Sequence, residues 1–100
     1  VTVDVGNRTR VLYHLVYHSP TGLEWGYPGS GPADLALSIL ADYFGESLIA
    51  RRRIDRTRAW ALHQQFKNDW VAGFDDDWTL TGKEIASWLA AVGEEAKAHG

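Results

Sequence analysis

One hundred residues, 45% apolar and 23% charged, are the size and composition of one domain spanning 1–100 with a single core. No apolar run approaches the roughly 18 residues of a membrane span, and a formal net charge of −3 excludes a polybasic coat for nucleic acid. The absence of cysteine excludes disulfides, thiolate metal sites and cysteine nucleophiles.

Residues 1–27 alternate with period two. Val1, Val3 and Val5, then Val11, Tyr13, Leu15 and Tyr17, then Leu23, Trp25 and Tyr27 are apolar at odd positions. Gly6-Asn7 and Ser19-Pro20-Thr21-Gly22 supply turns. Residues facing each other across an antiparallel pair share a sheet face, so matched parity predicts Val5 opposite Thr9, Val3 opposite Val11, Val1 opposite Tyr13, and Asp4 beside Arg10. The second turn would pair Tyr17 with Leu23, Leu15 with Trp25 and Tyr13 with Tyr27. The expected sheet is a three-stranded antiparallel β-meander over about 1–27.

Helical periodicity follows. Pro32 suits a first helical position, with Ser30 or Gly31 as cap, and the run to Phe44 is apolar around most of its circumference before Gly45 stops it. This predicts a central, buried helix over about 32–44. A second helix over about 57–72 carries Ala59, Leu62, Phe66 and Trp70 on one face. A third, over about 82–98, opens with a capping box between Thr81 and Glu84 and shows the stripe Ile85, Trp88, Leu89, Val92 and Ala96. The irregular residues 46–56 read as a long loop or a ragged helix extension. A sheet with one apolar face and three amphipathic helices predict an α+β domain, the helices covering one sheet face.

Two stretches are candidates for binding. Trp25, Tyr27, Gly29, Ser30 and Gly31 lead straight into the first helix, where free N–H groups and the positive dipole end suit an anion. The stretch lacks the lysine of a phosphate loop and the glycine order of dinucleotide folds, and a sheet-to-helix turn needs these same residues. The other stretch holds Arg51, Arg52, Arg53, Arg56 and Arg58, five arginines in eight positions, whose guanidinium forks suit an acidic partner or a local nucleic-acid contact. A solvated charged surface uses the same residues. Asp75, Asp76 and Asp77 lack the glycine and distal glutamate of a calcium loop; they read as a polar turn, or as partners for the arginines of this or a neighbouring molecule.

Of the four histidines, His14 and His18 fall on the polar sheet face, His63 lies mid-helix and His99 near the end, all expected at the surface. Ser30, His14 and Glu24 could be drawn together as a hydrolase-like group, yet Ser30 sits in no nucleophile elbow. Of the five tryptophans, at least four are expected in the core, and Trp78 is placed to staple the third helix near Ile85.

The run Glu24-Trp25-Gly26-Tyr27-Pro28-Gly29-Ser30-Gly31-Pro32, continuing into Leu35-Ala36-Leu37, resembles the signature of an uncharacterised family of small bacterial and phage proteins. His63-Gln64-Gln65-Phe66-Lys67 and Trp78-Thr79-Leu80-Thr81 are similar to its later blocks, so the resemblance covers most of residues 23–90. Leu23 stands where that family has phenylalanine, Pro28 where it has glycine, and the arginine run looks particular to this chain. The resemblance implies a phage, plasmid or accessory-gene context.

The expected function is a small non-enzymatic accessory protein that binds another protein, such as an inhibitor of a host defence system. The alternatives are an anionic-ligand or nucleotide binder at residues 29–33, and a nucleic-acid contact through the arginines. No catalytic residue, metal, cofactor or membrane contact is expected, and a homodimer is left open. Residues 1–5 are too short for the apolar core of a leader, so a cytoplasmic location is the default expectation; with no methionine in the chain, Val1 need not be the translated start.

Overall fold

The computed structural model describes residues 1–5, 8–12, 15 and 24–99. Strands β1 (Thr2–Val5) and β2 (Arg8–Val11) pair antiparallel. Helix α1 (Ser30–Phe44) follows, then α2 (Ser47–Arg53), which runs into a 3-10 turn at Ile54–Arg56. Next come α3 (Arg58–Asp69), a second 3-10 turn at Val71–Gly73, and α4 (Gly82–His99). The architecture is mixed α and β as expected, with two strands among the described residues and four α-helices where three were expected.

The hairpin register differs from the parity argument by one residue. Val5 faces Arg8, Val3 faces Arg10 and Thr2 faces Val11, and the Leu12 N–H donates to the Val1 carbonyl at 3.0 Å. A one-residue slip exchanges the two faces of a whole strand. Val11 is therefore turned to solvent at 76% exposed, while Leu12 is buried. Arg10, opposite Val3, stays exposed and is held from another element: its Nη2 meets Asp42 Oδ1 of α1 at 2.6 Å. On the outer face Asp4 has Thr9 for a partner, whose hydroxyl donates to it at 2.7 Å, instead of the expected Arg10.

Of the expected third strand, the described residues 24–27 join no sheet. Gly26 adopts φ +82°, a left-handed conformation that ends an extended run, and its N–H donates to the Val71 carbonyl at 3.0 Å. The Tyr27 hydroxyl reaches back to Glu24, although residues three apart on a strand point to opposite faces. Gly6, Asn7, Tyr13, His14, residues 16–22 and Leu23 lie outside the described residues, and the expected turns and pairings that involve them lie there too.

Helix α1 is the centre of the molecule. Leu35, Ala36, Leu37, Leu40 and Ala41 are all fully buried, and α1 packs chiefly on α3 through a core that includes Ala59 and Phe66. Each fully buried leucine or phenylalanine contributes roughly 1.5–3 kcal/mol of transfer free energy. The first intrahelical bond runs from the Ala33 N–H to the Gly29 carbonyl, so Gly29 flanks the helix and Ser30 opens it. That moves Pro32 from the expected first position to the third and removes the cap role foreseen for Ser30 or Gly31. The third position tolerates proline equally, because first-turn N–H groups have no intrahelical acceptor. At the other end Gly45, at φ +69°, closes the helix as expected: its N–H donates to the Asp42 carbonyl, and the Glu46 N–H donates to that of Ala41.

The second expected helix is α3, which ends at Asp69 because Trp70 leaves the helical region and the chain tightens into a 3-10 turn. Its cap is Thr57, whose Oγ1 accepts the Trp60 N–H at 3.1 Å. The capping box of α4 forms as read: Glu84 Oε1 accepts the Thr81 N–H at 3.0 Å, and Thr81 Oγ1 accepts the Glu84 N–H at 3.1 Å. Ile85 and Trp88 anchor α4 in the core, and the Trp88 indole N–H donates to Asp69 at 2.8 Å.

Only Trp88 of the five tryptophans is buried; Trp25, Trp60, Trp70 and Trp78 are half-buried against the rim of the core. Indoles are too large to be enclosed easily in a small domain, which is why the expectation of four core tryptophans fails. His63, expected at the surface, is buried at 3% exposed, stacked on Trp60, with its Nδ1 2.6 Å from the Trp60 carbonyl. Among the described residues no buried side-chain polar atom lacks a hydrogen-bond partner.

Candidate functional site

The glycine-rich turn reaches α1 as an aromatic and acidic surface. Glu24 lies against the first turn of α1, with its Oε1 2.8 Å from the point where a Cβ on Gly31 would stand. Gly31 is thus required by close approach, and the Glu24 carboxylate lies beside the first turn of α1. The Tyr27 hydroxyl donates to Glu24 Oε2 at 2.8 Å. That hydrogen bond, followed by partial desolvation and the negative charge of Glu24, raises the Tyr27 phenol above its ordinary pKa. The Tyr27 ring also lies over Gly29, where a side chain would collide with it. Ser30 is exposed.

Trp25 meets Trp78 edge-on at 5.8 Å, and Trp78 stacks on Phe74 at 4.5 Å. The ring partners of Trp78 are these two residues, and Trp78 also packs against the core cluster that contains Ile85. Trp25, Gly26 and Phe74 line a shallow hollow together with Asp75, Asp76 and Asp77. All three aspartates are exposed. An anion approaching residues 29–33 would meet the Glu24 carboxylate in place and a triply acidic hollow beside Trp25.

The five arginines divide by position. Arg51, Arg52 and Arg53 occupy the last turn of α2, where positive charge complements the helix dipole, and with Leu48 and Ile49 they line a second shallow hollow. Leu48 is 75% and Ile49 53% exposed, and Ala50 is the one residue that α2 buries. Arg53 Nε lies 3.6 Å from Asp55 Oδ1, with both side chains mostly exposed, so the pair holds neither firmly. Arg56 is exposed in the 3-10 turn. Arg58 is drawn away from the group: its guanidinium lies 4.2 Å from the Phe44 ring centre and its Nε 3.6 Å from Glu46 Oε2.

Reading the sequence as an irregular segment missed both Leu48 and Ile49, and also Glu46. The Glu46 carboxylate accepts the N–H groups of Arg58 and Ala59, each at 3.1 Å, and so caps α3 from twelve residues upstream. The available signal was the Leu48-Ile49 pair itself, two adjacent apolar residues belonging to no amphipathic stripe. His14 and His18 lie outside the described residues, and among the described residues no group of three or more histidine or carboxylate side chains is placed to hold a metal.

Comparison at the level of families matches residues 1–91 to a family of unknown function, DUF6166. The chain belongs to this family. The DUF6166 match spans both the glycine-rich turn and α2, so the two surfaces belong to one family domain. No curated protein and no solved structure matches the chain.

Proposed function

We propose that this DUF6166 protein is a non-enzymatic protein-binding module, with the outer face of α2 as its contact surface. The partner presents carboxylates next to apolar side chains. Such a module acts by covering a partner's surface, the mode expected of an accessory protein that blocks a host protein. The observation that carries this reading is the exposure of Leu48 and Ile49 beside Arg51, Arg52 and Arg53. Dipole compensation accounts for the arginines but leaves two aliphatic side chains largely in water; fully burying an exposed one is worth roughly 1.5–3 kcal/mol, and less for Ile49, which is already about half covered. A phosphate backbone answers the arginines and offers nothing to the aliphatic pair, which favours protein over nucleic acid. Anion binding at residues 29–33 is the weaker alternative, since Glu24 already lies at that helix start.

The test is an NMR titration of the full chain with a synthetic peptide alternating glutamate and leucine. Shifts are expected at residues 48–53, with affinity falling about tenfold or more in R52E, the equivalent of about 1.4 kcal/mol for one charge contact. Shifts confined to other elements, or tighter binding of a single-stranded DNA oligonucleotide than of the peptide, would overturn the assignment.

A further inference from the structure

Taking α2 as the contact face, and so resting on the reading above, we infer that its partner is a second copy of this chain, whose hollow at Asp75, Asp76 and Asp77 receives the α2 arginines. Asp75, Asp76 and Asp77 take no part in the ion pairs that join Arg10 to Asp42, Arg53 to Asp55 and Arg58 to Glu46, and Arg51, although exposed, has a contact of its own within the chain. The chain thus presents three exposed carboxylates in one hollow and three exposed arginines in another.

The match extends beyond charge. The acidic hollow is walled by Trp25 and Phe74, with Trp78 stacked behind Phe74. A guanidinium lies flat on such rings while its N–H fork takes a carboxylate, which an ammonium group cannot do as well. The basic hollow supplies what the rings need at its edge, the aliphatic Leu48 and Ile49. Successive helical residues point about 100° apart, so one of the three arginines enters the hollow and its neighbours meet the acidic rim.

The two patches differ, so the contact is head to tail. Each copy keeps one unused donor face and one unused acceptor hollow, and association continues to a ring or a filament unless one end is blocked.

Sedimentation of the full chain over a concentration series reaching about 1 mM, the range of weak contacts, tests this. The average mass is expected to rise at least twofold at low salt and to fall back as added salt screens the charges. Two neutral variants separate the faces: Arg51→Gln with Arg52→Gln and Arg53→Gln, and Asp75→Asn with Asp76→Asn and Asp77→Asn. All six positions are exposed, and circular dichroism checks that both variants fold. Each alone is expected to be monomeric, and an equal mixture is expected to stop at a heterodimer, with one intact hollow meeting one intact helix. A monomeric wild type, a variant that self-associates as the wild type does, or a monomeric mixture overturns the inference. If the wild type stays monomeric yet binds the glutamate-leucine peptide on α2, self-association fails while the α2 reading stands. If it does neither, both fail.

Discussion

Replacing Gly31 by alanine is expected to destabilise the chain, although Gly→Ala in a helix ordinarily stabilises by about 0.4–1 kcal/mol. A Cβ at Gly31 would stand 2.7 Å from the Cβ of Glu24 and 2.9 Å from its Cγ, where ordinary contact begins at 3.4 Å. The deficit of about 0.7 Å falls on atoms close to the Glu24 backbone, so rotation of a flexible tip cannot relieve it. Overpacking of this kind costs about 1–3 kcal/mol, and after the gain in helix propensity a net loss of up to about 2 kcal/mol remains. Gly93 of α4 is the control, because a Cβ there meets nothing within 4 Å. Gly93→Ala is expected to stabilise by about 0.4–1 kcal/mol. The assay is thermal denaturation of both variants, with midpoints expected to move in opposite directions by roughly 4–8 °C per kcal/mol. NMR titration of Tyr27 provides a second readout. Displacing Glu24 removes the hydrogen bond that chiefly raises the phenol, so in Gly31→Ala its pKa is expected to return toward the ordinary value. Equal stabilisation by both substitutions, with Tyr27 titrating as before, would refute the seating of Glu24 on α1.

Two further outcomes follow from the same contacts. Ser38 Oγ accepts the Leu15 N–H at 2.9 Å in a buried setting, so Ser38→Ala is expected to cost about 1–3 kcal/mol and to speed hydrogen exchange at the Leu15 amide; unchanged exchange would count against that bond. The raised Tyr27 pKa means that the folded chain holds this proton more tightly than the unfolded chain, whose phenol keeps its ordinary value of 10.0. Its contribution is therefore complete below about pH 10 and is lost as pH rises through the folded value, and Tyr27→Phe is expected to remove that part of the alkaline decline in denaturation midpoints.

The three long helices and several of their ends were legible in the sequence because each rests on local chemistry: the 3.6-residue stripe, Gly45 at the end of α1, and the Thr81–Glu84 box. The seven residues of α2 span two turns, too short for a stripe, and it buries Ala50 alone. Register was misread because Val11 counted as an inward residue, and what permits the actual pairing, Asp42 beneath Arg10, belongs to a different element. The candidate surfaces were half legible. The arginine and aspartate runs stand in plain view, whereas the withdrawal of Arg58 onto Phe44 and the seating of Glu24 on α1 depend on packing between residues far apart in the chain or on opposite sides of a turn.

The connector between α1 and α3 is pinned at both extremities. At its near end Glu46 grips the opening amides of α3, and at its far end the Thr57 hydroxyl donates to the Ile54 carbonyl at 2.7 Å. A segment fastened this way has already surrendered much of its backbone freedom before any visitor arrives. Whatever docks there meets a preorganised platform, so less of the encounter's free energy is consumed in ordering it.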